Sequence, residues 1–173
     1  MQKMTSAYAN KVLKKLNDDK AFYIQQEHDS YSYVAADGEE PVIPEYDFEK
    51  TSEILRDIDN KIVKIKHALN VTNTTNSVVV GEKSMTIDEI LVRMAQLNNR
   101  KATLDMMRKQ QAKSRVDSRF SILSSKKPVI EYQYMNYDIE LVKKEYDAMD
   151  AEIAAMQMAL DKYNQTVEFD VDI

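Results

Sequence analysis

His67–Leu91, with the sequence HALNVTNTTNSVVVGEKSMTIDEIL, decides the fold of this chain. In the residues before it, apolar side chains recur at alternating steps of three and four, which is the spacing of a helix with one apolar face. That spacing calls for apolar residues near positions 72 and 76, where the sequence has Thr72 and Asn76. A long helix should therefore end within the polar Asn/Thr segment, which we interpret as a turn.

The second half of this stretch predicts a small β-hairpin followed by a new helix. Val78–Val80 are β-branched and suit a strand, Gly81 permits a tight turn, and Lys83–Met85 can form the returning strand. Thr86 and Glu89 then have the spacing of a capping box, in which each side chain bonds the backbone amide of the other residue. The next long helix should begin directly after Thr86.

The same periodicity, followed in both directions, predicts four helices. Their expected bounds are Ala7 to Glu27 with Thr5 or Ser6 as N-cap, Asp47 to about residue 72, Thr86 to about Ala112, and Tyr137 or Asp138 onward with Asn136 as N-cap. The third helix has one break in its apolar stripe, at Lys101. The fourth keeps its spacing without a break in Ile139, Val142, Tyr146, Met149, Ile153, Met156, Leu160 and Tyr163.

Three further segments are expected to be extended. Residues 30–36, 129–135 and 167–173 each alternate apolar or aromatic side chains with polar ones. Asp37-Gly38 is a turn signal after the first of them. In an up-down arrangement the first two segments would lie at one end and pair with each other, with six of the ten tyrosines nearby. The third would join the central hairpin at the opposite end as a three-stranded ribbon.

Composition agrees with this architecture. The 173 residues include only two glycines and three prolines, while 31% are charged, which favours long helices over a turn-rich β fold. We therefore predict a mainly α protein, a long-helix up-down bundle of about four helices with short hairpin or strand excursions at the bundle ends. Residues 1–173 are expected to form a single helical-bundle domain.

Charge is distributed in blocks. Residues 27–49 contain eight acidic residues and no Lys or Arg, whereas residues 100–127 contain nine basic and two acidic residues. Residues 138–173 contain ten acidic and three basic residues. Blocks of opposite sign usually pair with each other, within one chain or between chains. The alternative is that the basic block is a face for an anionic partner, although a net charge of −5 makes nucleic acid less favourable.

Several function classes find no support in the sequence. There is no cysteine, no HExxH motif, no glycine-rich phosphate loop and no Glu-x-x-His pair of the kind that holds two metals in a helical bundle. We therefore expect no cofactor and no metal, and an enzyme is the least favoured class. No apolar run is long enough for a signal or a membrane span, so a cytoplasmic protein is expected.

Two groups of residues are candidates for an interaction site. The polar segment offers donors and acceptors at a bundle end, either to recognise a peptide or polar ligand or simply to cap a helix and shape a chain reversal. The basic block offers cations. The candidate residues are Asn70, Thr72, Asn73, Thr75, Asn76, Arg108, Lys109, Arg115 and Arg119.

The order of several motifs resembles the septicolysin-like family of small, mainly helical bacterial proteins without established function. The motifs are residues 38–41 (GEEP), 57–62 (DIDNKI), 68–75 (ALNVTNTT), 85–91 (MTIDEIL) and 160–166 (LDKYNQT). The resemblance spans about residues 7–166 and chiefly implies a helical fold. This chain departs from the pattern in Val78–Val80, in its tyrosine-rich end and in the residues after Thr166.

These observations favour a non-catalytic protein-interaction module that self-associates as a dimer or a larger homo-oligomer, because stripes this wide need more apolar partners than one helical hairpin provides. The alternative is a membrane-active or nucleic-acid-associated protein that uses the basic residues of 100–127.

Overall fold

The computed structural model describes residues 1–116 and 130–173, and these form four long helices with short antiparallel strand pairs. The mainly α fold with β excursions is therefore confirmed. The elements in chain order are β1 (Gln2–Thr5), α1 (Ser6–Ser30), α2 (Phe48–Thr75), β2 (Ser77–Val80), β3 (Lys83–Thr86), α3 (Ile87–Arg108), β4 (Lys113–Arg115), β5 (Tyr132–Tyr134), α4 (Ile139–Thr166) and β6 (Glu168–Val171).

Side-chain caps determine where the helices begin. Thr5 caps α1 and Asp47 caps α2, each accepting a hydrogen bond from a backbone amide three residues ahead. At α3 the predicted capping box is confirmed, since both of its reciprocal bonds form. The predicted cap of α4 was wrong: Asp138 rather than Asn136 accepts the amides of Glu140 and the following residue, so the helix begins at Ile139.

The predicted central hairpin is confirmed. β2 and β3 pair antiparallel with Val78 opposite Met85, and a two-residue loop of Gly81 and Glu82 connects them. Gly81 has a φ of +61°, a value that costs glycine little, and a glycine with positive φ at the first loop position is typical of a type II′ turn. Half-buried Val78, Val80 and Met85 pack against the core between α3 and α4.

Two helix ends differ from the prediction. α2 continues to Thr75 with Asn76 as its C-cap, so the Asn/Thr residues lie in the last turns of the helix and do not form a turn after it. α3 ends at Arg108, before the predicted Ala112, because the chain that follows pairs with β5. The amide of Met135 bonds the carbonyl of Ala112 at 3.1 Å and extends that pairing beyond the strands.

The C-terminal strand has a different partner from the one predicted. β6 pairs antiparallel with β1, the N-terminal strand that the sequence analysis missed, and the central hairpin remains a separate two-stranded sheet. Burial explains this pairing, because Met4 of β1 and Val171 of β6 are both almost completely buried against α1 and α2. The predicted three-stranded ribbon was therefore wrong, although β6 does have one buried face, as its alternation indicated.

The predicted pairing of residues 30–36 with 129–135 was also wrong. Ser30 ends α1, and residues 31–46 form no strand; their one regular feature is the predicted turn, where Gly38 has a φ of +84°. The strand β5 instead pairs with β4, so that Gln133 lies opposite Ser114. Position 129 lies outside the described residues.

Two separate apolar cores hold the helices. One lies between α3, α4 and the central hairpin, and contains Ile90, Leu97 and Leu160. The other lies between α1, α2, β1 and β6, and contains Leu13 and Ile65. Helices within each pair run antiparallel and pack more extensively on each other than on the second pair.

The two helix pairs are joined at the end that carries β1, β2, β3 and β6, which we call the strand-bearing end. There the side-chain amide of Asn76, at the end of α2, donates to the Tyr163 hydroxyl of α4 at 2.8 Å. The amide of Ile87 donates to the Asn76 carbonyl at 3.2 Å. Nearby, Lys64 of α2 forms an ion pair of 3.7 Å with Asp172 in the tail that follows α4.

Two adjacent residues of α3, one buried and one exposed, provide a test of the core between α3, α4 and the central hairpin. Ile90 is 0% exposed and Leu91 is 49% exposed, so Ile90→Ala leaves a cavity whereas Leu91→Ala loses only surface contacts. We expect Ile90→Ala to lower the free energy of unfolding by about 2–5 kcal/mol, measured by urea denaturation followed by circular dichroism. The matched control Leu91→Ala should cost less than about 1 kcal/mol. Equal losses in the two variants would contradict the placement of α3.

Candidate interaction site

The predicted Asn/Thr candidates lie at the end of α2, where several of them have structural roles. Thr72 is buried in the helix pair, and Thr75 donates its hydroxyl to the carbonyl of Val71 at 2.8 Å. Asn76 caps the helix and donates to Tyr163. The hydroxyl of Thr75 thus uses its one donor within the helix and could only accept a hydrogen bond from a ligand.

The polar candidates therefore do not share one surface. Asn70 is exposed and Asn73 is half-buried, while Thr72 faces the interior and Asn76 is bound to α4. This geometry favours the interpretation in which the segment closes a helix end, with Asn70 and Thr75 as its exposed members.

The basic candidates are partly neutralised by carboxylates of their own helix. Arg108 and Lys109 both bind the carboxylate of Asp105, with an Arg108 Nη2 to Asp105 Oδ1 distance of 2.7 Å. Hydrogen bonds from Lys109 and then Arg108 lower the pKa of Asp105, which keeps its carboxylate charged. Arg115 is exposed on β4, and Arg119 lies outside the described residues.

The ring of Tyr146 on α4 contacts two cations of α3, one of which is Arg108. The guanidinium of Arg108 lies 3.9 Å from the centre of the Tyr146 ring, and the ammonium of Lys101 lies 5.1 Å from it. Lys101 also forms an ion pair with Asp150 of α4, and this hydrogen bond raises the pKa of Lys101. The break in the apolar stripe of α3 is thus a polar link between the paired helices.

A second surface, which was not among the candidate sites predicted from the sequence, extends from the end of α1 to the start of α2. We call residues 27–49 the acidic segment. Besides its eight acids it exposes large apolar side chains: Val34 is 98% exposed, Val42 is 90% exposed and Phe48 is 66% exposed. These apolar side chains are accessible to a partner. The signal available in the sequence was the alternation of acids and apolar residues around two prolines.

A groove of about 430 Å³ lies beside the acidic segment, between α1 and α2. Aromatic and aliphatic side chains line it, including Phe22, Tyr23, Tyr46 and Ile54, together with the carboxylates of Glu45 and Asp47. Lys50 lines the groove as well, so the groove combines apolar walls with charges of both signs, a chemistry that suits an amphipathic partner.

One short hydrogen bond fixes the base of this segment. The Tyr46 hydroxyl donates to Glu27 Oε1 at 2.5 Å, which joins the residues before α2 to the end of α1. The same bond to a carboxylate raises the pKa of Tyr46 to about 12, with smaller contributions from desolvation and from the charges of Glu27 and Asp47.

The six tyrosines expected at one end divide between the two helix pairs. Tyr31, Tyr33 and Tyr46 belong to the acidic segment, whereas Tyr132, Tyr134 and Tyr137 belong to the part of the chain that connects α3 to α4. Tyr137 donates its hydroxyl to the carbonyl of Met107 at 2.9 Å and so has a structural role. Tyr132 and Tyr134 are exposed, and the ammonium of Lys113 lies 4.0 Å from the Tyr132 ring centre.

Across residues 1–116 and 130–173, no group of three or more His, Cys, Asp or Glu side chains is arranged to hold a metal ion. None of the helices in this part of the chain has the length and apolar composition needed to cross a membrane.

No protein-family model and no curated protein significantly matches this chain. A solved structure is similar in fold: the crystal structure of a functionally unknown conserved protein from Corynebacterium diphtheriae, with a TM-score of 0.63 and 16% sequence identity. The likeness covers 98% of this chain and 100% of that one. At this identity the likeness concerns the fold alone.

The bond between Tyr46 and Glu27 gives a test of the acidic segment. A raised pKa means that the bond contributes stability below pH 10, and that this contribution is lost as pH rises through about 12. We expect the difference between the 295 nm titrations of the parent and Tyr46→Phe to give a pKa near 12 for Tyr46. In Glu27→Gln, where the negative charge is removed, the pKa of Tyr46 should fall towards about 10. A parent value near 10 would contradict the bond.

Proposed function

We propose that this chain is a non-catalytic protein-interaction module that self-associates into a dimer or a larger homo-oligomer. The observation that carries the proposal is the amount of surface left accessible in one copy. The single chain has an accessible surface of 13383 Å² at a mass of 20.0 kDa. A compact monomer of that mass exposes about 8,700 Å² by the usual scaling of surface with mass.

The excess is large compared with the needs of an interface. A specific protein–protein interface buries about 1,200–2,000 Å² in total, counted over both partners. The excess surface of two copies together is therefore several times larger than the area that one such interface would remove. Part of this surface is apolar, as Val34, Val42 and Phe48 show. Covering apolar side chains is the main favourable contribution to association.

The alternative, a membrane-active or nucleic-acid-associated protein, would depend on the basic residues near the end of α3. Arg108 and Lys109 share the carboxylate of Asp105, and Lys101 is bound to Asp150, so much of this charge is balanced within the chain. Binding through phosphates requires cations that can exchange their counter-ions for the nucleic acid. The geometry therefore supports self-association more strongly than this alternative.

Sedimentation equilibrium tests the proposal. Between about 1 and 200 µM protein we expect the weight-average mass to rise to at least twice 20.0 kDa, because association follows mass action. The control is the same measurement with a short double-stranded DNA or anionic vesicles at about 0.1 M salt, where no binding is expected. A mass of 20.0 kDa at every concentration would contradict the proposal.

A further inference from the structure

The acidic segment is unpaired within the described chain. None of its eight carboxylates lies within ion-pair distance of a Lys or Arg in residues 1–116 and 130–173, and the nearest ionic contact is from Asp29 to the exposed His28. Asp37, Glu39, Glu40 and Glu45 are all exposed. Such a concentration of like charge raises the energy of the free monomer and is relieved when cations approach it.

The surplus of cations lies at the end of α3 and in β4. We call residues 100–115 the basic end; it has six basic residues and one acid, Asp105. Asp150 of α4 neutralises Lys101, whereas Arg100 and Arg115 are exposed and have no acidic partner in the described part of the chain. The carboxylates in the first turns of α4 include Glu140, which is paired with Lys143. The available positive charge therefore belongs to α3 and β4.

Both surfaces also offer apolar contacts. Exposed Val34, Val42 and Ile43 alternate with acids in the acidic segment, and exposed Tyr132 and Tyr134 lie on the strand that pairs with β4. This matters because solvent-exposed ion pairs contribute little on their own. Apolar burial can provide the affinity, while the charges select the partner and its orientation.

From this pattern we propose that the partner is a second copy of this chain, bound so that the acidic segment of each copy lies on the basic end of the other. The inference rests on the self-association proposed above and identifies its surfaces. Two acidic segments facing each other would repel, so a closed pair is favoured when unlike surfaces, the acidic segment of one copy and the basic end of the other, lie together. A two-fold axis forms this contact twice, because the acidic segment of each copy then lies on the basic end of the other.

Charge reversal on each surface tests the pairing. One variant carries Glu39→Lys, Glu40→Lys and Glu45→Lys, which avoid the N-cap Asp47 and the bond between Glu27 and Tyr46. The second carries Arg100→Glu and Arg115→Glu. A matched control carries Glu82→Lys, Glu168→Lys and Asp170→Lys, which change the net charge by the same amount as the first variant but lie at the strand-bearing end.

Sedimentation velocity at about 50 mM salt gives the dissociation constant of each protein and of the equimolar mixture of the two reversed variants. Each reversed variant alone should associate at least roughly tenfold more weakly than the parent, because like charges now meet at the substituted positions of both contacts and the remaining attraction between the two surfaces is much smaller. Their mixture should recover to within about threefold of the parent, because both contacts are again between unlike charges. The control should match the parent, and thermal unfolding should show that every variant folds.

The outcomes separate this inference from the proposed function. A parent that associates as strongly as both reversed variants would overturn the pairing of these surfaces while leaving self-association intact. Reversed variants that dissociate but do not recover on mixing would also overturn it. A parent that stays monomeric would overturn both proposals.

Discussion

The contacts of Asn76 connect α2 to α3 and α4, and together with the pairing of β1 and β6 they join the two helix pairs at the strand-bearing end. Its side-chain amide binds the hydroxyl of Tyr163 on α4, and its carbonyl accepts the first amide of α3. Asn76 thus caps α2, directly precedes the central hairpin and binds the last turn of α4. Tyr163 is almost completely buried, so loss of the Asn76 side chain would leave the buried Tyr163 hydroxyl without this partner. The strands β1 and β6 close the same end around Met4 and Val171.

The end opposite the strand-bearing end is less completely packed. Most of the fully buried residues of α1 and α2 lie towards the strand-bearing end, whereas Phe22 and Phe48 near the acidic segment are exposed. The helices of each pair still contact each other there, through Lys20 with Asp59 and through Tyr46 with Glu27. Within residues 1–116 and 130–173 of one copy, these apolar side chains have no cover and the carboxylates of the acidic segment have no Lys or Arg as a counter-charge. A second copy that supplies the basic end of α3 and β4 would provide both, which is why one hypothesis accounts for the excess surface and for the charge blocks.

The helices were predictable because their signals are local and repeated. All eight stripe residues of α4 are buried or half-buried, and the capping box of α3 and the Gly81 turn form as the sequence indicated. The partner of β6 was not predictable, because β1 is a four-residue strand at the opposite end of the chain whose one strong feature is the burial of Met4. The cap of α4 was ambiguous since Asn136 and Asp138 are equally good caps by type. Of the candidate site, the charge blocks were visible in the sequence, but whether they pair within one chain depends on tertiary contacts that no local pattern contains.

Amide hydrogen exchange, measured residue by residue at about 1 µM and at about 200 µM protein, tests the central claim most directly because it separates closure at one end from association at the other. The account predicts slow exchange in the last turns of α2, in β2 and in β6 at both concentrations. It also predicts that the first turns of α2, which follow the acidic segment, and the amides of β4 become more protected at the higher concentration. Protection that does not change with concentration in those regions, or that rises equally throughout the chain, would contradict it.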